Sequence, residues 1–102
     1  MNHGLPEPVI DRIQRVLDRH PAVDRAVLYG SRAKRTHRHG SDINLTLQGA
    51  RLDDRTLNRI ANDLDDLLLP WQFDLCHFDR LTHQDLVAHI RRVGVILYER
   101  AA

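Results

Sequence analysis

Along residues 7–20 the apolar side chains Val9, Ile10, Ile13, Val16 and Leu17 recur every three or four positions between charged ones, the period of an amphipathic helix. Pro21 ends it, because a residue before proline is pushed out of the helical region. Residues 22–29 close on Ala26-Val27-Leu28-Tyr29, a run short enough for a buried strand. After Gly30-Ser31, residues 32–35 predict one or two helical turns that Gly40-Ser41 breaks. Residues 42–48 alternate strictly, with Ile43, Leu45 and Leu47 on one side and Asp42, Asn44, Thr46 and Gln48 on the other. Residues 53–68 form the clearest helix, with Leu57, Ile60, Ala61, Leu64, Leu67 and Leu68 along one face. Pro70 closes it, and residues 72–78 alternate again, Phe73, Leu75 and His77 opposing Gln72, Asp74 and Cys76. Thr82 is placed to cap a last helix carrying Leu86, Val87, Ile90 and Val93 up to Gly94, before the short apolar segment 95–98. The order αβ(α)βαβα with a small terminal strand predicts an α/β fold, a small mixed β-sheet covered by helices in a single domain over residues 1–102.

Composition narrows the classes of function. With 15 Lys+Arg against 14 Asp+Glu the formal net charge is +1, which argues against a chain whose overall task is coating nucleic acid or an anionic membrane. The single Cys76 excludes an internal disulfide framework and a cysteine-rich zinc site, and it suits a reducing compartment; the expectation is a cytoplasmic protein. The first eight residues lack the basic and apolar regions of a signal peptide, and no apolar run approaches the roughly 20 residues of a membrane helix.

The candidate chemistry begins at Gly30-Ser31. A strand running into a glycine-serine turn and a helical turn gathers backbone N–H groups and a hydroxyl, an arrangement that suits phosphate. Alone it is weak, since it lacks the spacing of a P-loop and a tight turn explains the glycine as well. Asp42 and Asn44 follow at i and i+2 on a strand, with Cα atoms roughly 7 Å apart on one face. Asp74 lies opposite the apolar side of a later strand and joins them if the two strands are neighbours. Oxygen ligands so placed suit a hard cation such as Mg²⁺, which keeps substrate phosphates in its shell.

Gly30-Ser31-Arg32-Ala33-Lys34, then Gly40-Ser41-Asp42-Ile43-Asn44-Leu45, then Phe73-Asp74-Leu75 resemble the motifs of the minimal, MntA-like nucleotidyltransferases of the DNA polymerase β-like superfamily. The resemblance extends over nearly the whole chain. It implies the polymerase β-like fold, with Gly30, Ser31 and Ser41 at the nucleotide and Arg32 and Lys34 neutralising phosphate charge. It further implies Asp42, Asn44 and Asp74 as metal positions, with Asp42 and Asp74 catalytic. In-line phosphoryl transfer at two metals roughly 3.5–4 Å apart needs such carboxylates. The expected reaction moves AMP from ATP to a hydroxyl acceptor with Mg²⁺. The chain has no room for an acceptor-binding domain, so the acceptor comes with a partner; in the resembling family that is a HEPN toxin, adenylylated by its antitoxin. A second copy of the chain is the other expected partner.

Asn44 stands where the family has a second aspartate, so the metal site lacks one negative charge and slow or absent transfer is expected. The alternative is a non-catalytic antitoxin or assembly module that keeps the fold and has lost turnover through Asn44. Arg35 stands where a glycine is common. The basic run Arg32, Lys34, Arg35, His37, Arg38 and His39 reads as a solvated loop before it reads as a nucleic-acid contact. His77, His83 and His89, like the pair His37 and His39, read as surface histidines, and Cys76 as a small packed residue.

Overall fold

The structure is a computed structural model that describes residues 4–34 and 40–101. Arg35, His37, Arg38 and His39 of the basic run lie outside the described residues. The elements are α1 (Glu7–Asp18), β1 (Arg25–Tyr29), the one-turn α2 (Ser31–Lys34), β2 (Ile43–Gln48), α3 (Asp54–Asp65), β3 (Phe73–His77), α4 (Gln84–Val93) and β4 (Val95–Glu99), with a 3₁₀ turn at Phe78–Arg80. The four strands form one sheet in the order β3-β2-β1-β4. The β1–β2 and β1–β4 pairs are antiparallel, whereas β2 and β3 are parallel. That parallel pair needs a crossover, and α3 supplies it.

The strict alternation of β2 sorts its side chains. Ile43, Leu45 and Leu47 are fully buried in a core shared with Ile13 and Leu17 of α1, Leu28 of β1 and Ile60 and Leu64 of α3. Each such side chain is worth roughly 1.5–3 kcal/mol in area removed from water. The other face is covered more thinly, by α4, where Ile90 packs with Val27 and Tyr29. This second cluster lies on the side of the sheet that carries the polar residues of β2 and β3.

Element ends differ from the periodicity in instructive ways. The first helix ends at Asp18, two residues before the expected His20. The third stops at Asp65, and the apolar run after it turns the chain toward β3: Leu67 and Leu69 pack on the core, while Leu68 takes φ +55° and is 89% exposed. Thr82 does not cap α4; the Nδ1 of His83 accepts the Leu86 N–H at 3.1 Å instead. The terminal apolar segment is an edge strand, tied back by Arg100, which donates to the carbonyls of Val23 and His20, each at 2.9 Å. No helix among the described residues is long and apolar enough to cross a membrane.

Candidate active site

The parallel register pairs Asn44 with Asp74, so an amide and a carboxylate from adjacent strands stand side by side. The antiparallel register pairs Asn44 with Tyr29 on its other flank. Asp42 is exposed and immediately precedes β2, whose first N–H, that of Ile43, donates to the Gln72 carbonyl at 2.8 Å. The entrance to β2 is thereby held beside the entrance to β3.

The glycine-serine turn meets these strands directly. Gly30 has φ +80°, a conformation that favours glycine, and a Cβ there would lie 2.5 Å from the Asn44 Nδ2, so the amide would have to turn aside. Ser31 is half-buried and opens α2, and Lys34 is exposed at its end. With one turn only, α2 aligns few peptide dipoles, so the expected electrostatic help from its N-terminus is small.

Arg32, expected to neutralise phosphate charge, is held within the fold. It is 2% exposed, its Nε and Nη2 donate to the Ser41 carbonyl at 3.1 and 2.8 Å, and its guanidinium lies 5.5 Å from the centre of the Trp71 ring. Burial lowers its pKa from the usual guanidinium value. The side chain therefore ties α2 to the residue before Asp42, and its fork supplies two donors to one carbonyl.

Tyr29 closes the inner side of the site. Its hydroxyl is 3.6 Å from the Cys76 Sγ, and burial, then the Cys76 thiol, then the nearby Asp74 carboxylate all push the phenol pKa up, so the hydroxyl stays protonated. Cys76 is accordingly a packed side chain, as its place on β3 suggests. His89, a surface histidine by the sequence alone, belongs to this site. Rather than lying free on the surface, its Nε2 accepts the Gly30 N–H at 3.1 Å, and its ring meets Tyr29 edge-on at 6.3 Å. The available signal was helical spacing, since His89 lies three residues after Leu86, which packs against the Val27–Tyr29 cluster.

Among the described residues no three His, Cys, Asp or Glu side chains gather into a metal-binding group. The oxygen donors here are the exposed carboxylates of Asp42 and Asp74 and the half-exposed amide of Asn44. Hard oxygens open to solvent fit a Mg²⁺ ion that keeps waters and substrate phosphates, with two protein charges rather than three.

Residues 11–102 match the family described as Polymerase beta, Nucleotidyltransferase. No curated protein matches the chain. Among solved structures it is similar to a toxin-antitoxin complex with AMP-PNP, at TM-score 0.73 and 22% identity over 89% of this chain and 73% of that one. It is similar also to an MntA-HepT toxin-antitoxin complex, at TM-score 0.69 and 21% identity over 93% and 74% of the two chains. A third is a tri-AMPylated Shewanella oneidensis HEPN toxin in complex with MNT antitoxin, at TM-score 0.69 and 20% identity over 92% and 72%. At such identities the likeness concerns the fold, a mixed four-stranded sheet with helices. The family match, however, runs from within α1 to the end of the chain and includes Gly30-Ser31, Asp42-Ile43-Asn44 and Asp74, so the chain belongs to the polymerase β nucleotidyltransferase family.

Proposed function

We propose that this chain is a minimal nucleotidyltransferase that moves AMP from ATP to a hydroxyl on a HEPN-type toxin, with Mg²⁺, in the cytoplasm, and so acts as that toxin's antitoxin. The observation that carries the reading is the meeting of three separate segments at one place: Gly30 packed on Asn44, and Asn44 in register with Asp74. Structures of like fold include one with AMP-PNP and one with an AMPylated HEPN toxin, which supports both the nucleotide and the partner.

In this reading the Gly30-Ser31 turn and Ser41 hold the triphosphate, and Lys34 offsets its charge from the exposed end of α2. Asp42, Asn44 and Asp74 would hold Mg²⁺, which supplies charge stabilisation at the phosphate being transferred. Asp74 also accepts the proton of the acceptor hydroxyl as its oxygen bonds to the α-phosphorus and pyrophosphate leaves. Arg32, bound through its Nε and Nη2 to the Ser41 carbonyl, would hold the residue before Asp42 in place.

The test is transfer of labelled AMP from ATP to a HEPN-type protein, with and without Mg²⁺, alongside Asp42→Ala and Asp74→Ala. Label on the partner that disappears in both variants is the expected result. ATP binding without any transfer would replace the enzyme by the non-catalytic antitoxin, and absence of both binding and transfer would remove the reading.

A further inference from the structure

Gly30 sits where two hydrogen-bonding ladders have run out. The β1–β2 register ends at Tyr29 with Asn44, and the β1–β4 register ends at Leu28 with Val95, so the Gly30 N–H has no strand partner. A partly buried N–H left in that state costs free energy, and glycine is also the residue with most backbone freedom to lose. The donor is taken up by a side chain from 59 residues later: the His89 Nε2 accepts it at 3.1 Å.

The acceptor is itself held. The His89 ring meets Tyr29 edge-on at 79°, and its neighbour Ile90 is buried with Val27 and Tyr29 beneath α4. Because Nε2 accepts, the neutral ring carries its proton on Nδ1. The left-handed φ of Gly30 is thus bounded on one side by the Asn44 amide and satisfied on the other by His89.

We propose that His89 is a positioning residue for the nucleotide-phosphate turn, its Nε2 fixing the Gly30 backbone on which Ser31 is presented. The proposal rests on the nucleotidyltransferase reading above. It makes α4, which contributes none of the motif residues, part of the nucleotide site: the packing of Ile90 sets where the ring stands, and the ring sets the turn. His89 touches the turn rather than the substrate, so its effect belongs to nucleotide affinity.

The experiment compares the full chain with His89→Ala and His89→Gln, since a glutamine carbonyl can accept the same N–H and alanine cannot. Two quantities are read: affinity for a non-hydrolysable ATP analogue with Mg²⁺, and exchange of the Gly30 amide proton by NMR. The expected result is about tenfold weaker binding and a faster-exchanging Gly30 amide in His89→Ala, with both largely restored in His89→Gln. Binding by His89→Ala equal to that of the unmodified chain overturns the proposal. So does loss in both variants accompanied by amide shifts throughout the sheet, which marks a general packing role. Failure of the unmodified chain to bind the analogue removes the nucleotidyltransferase reading itself, and the phosphate role of His89 with it.

Discussion

Asn44 and Asp74 are register partners in the parallel half of the sheet, and the neutrality of one of them keeps two carboxylates from standing side by side. Like charges directly opposite on neighbouring strands are destabilising, on the order of 0.2–1 kcal/mol. An amide relieves that repulsion and gives up charge that a bound cation would use.

Asn44→Asp is therefore expected to lower the melting temperature by a few degrees in the absence of divalent cations, at about 4–8 °C per kcal/mol for a domain near this size. Mg²⁺ is expected to restore more stability to this variant than to the unmodified chain, and AMP transfer to rise by about tenfold or more, since each 1.36 kcal/mol of added stabilisation is a factor of ten. Calorimetry with and without Mg²⁺ and a labelled-AMP assay measure the two effects. Equal rates and equal Mg²⁺ responses would refute the charge argument.

Gly30→Ala introduces a Cβ at φ +80° and 2.5 Å from the Asn44 Nδ2. The backbone cost alone is roughly 1–2 kcal/mol, and the contact adds to it. Combining it with Asn44→Ala removes the contact and leaves the backbone cost, so the double variant is expected to be less destabilised than the sum of the two single ones. A denaturant-unfolding cycle gives the coupling.

Replacing the buried Arg32 by Met leaves the Ser41 carbonyl without the two donors it accepts from. Hydrogen bonds to a charged group are worth about 1.5–3 kcal/mol, so a loss of that order is expected. Arg32→Lys should recover little of it, because an ammonium has neither the planar fork nor the face that stacks on Trp71. Retention of full stability by the lysine variant would show that charge alone holds this side chain.

Asp53 caps α3, its carboxylate accepting the Thr56 N–H at 2.8 Å, and that bond holds its pKa below the ordinary aspartate value. For a carboxylate with a depressed folded-state pKa the added stability is present above the unfolded value, about 3.9, and is lost as pH falls through the folded one. Asp53→Ala should thus melt lower than the unmodified chain near neutrality, and the gap should narrow as the pH falls below about 4. A gap independent of pH would mean that the cap does not act through its charge.

Strand and helix identities were legible in the chain because each rests on a local period. The alternation through Ile43, Leu45 and Leu47 predicts which face of β2 is buried, and that same period places Asn44 on the other side. The order of Gly30-Ser31, Asp42-Ile43-Asn44 and Asp74 likewise carries the resemblance to the nucleotidyltransferase family, whose match spans all of these residues. What no local period encodes is which residues meet across long separations. The Asn44–Asp74 pairing follows from a parallel register set by the α3 crossover, and the 95–98 segment becomes an edge strand only by pairing with β1. Arg32 reads in the sequence as a cation beside phosphate, and only packing supplies Trp71 and the Ser41 carbonyl that bury it. His89 reads as a surface histidine until α4, docked by Ile90, brings its Nε2 to an N–H that the sheet has left unpaired. The physical reason is common to all of these: backbone periodicity is a property of neighbours in sequence, whereas the satisfaction of a buried donor or charge depends on whatever the fold places opposite it.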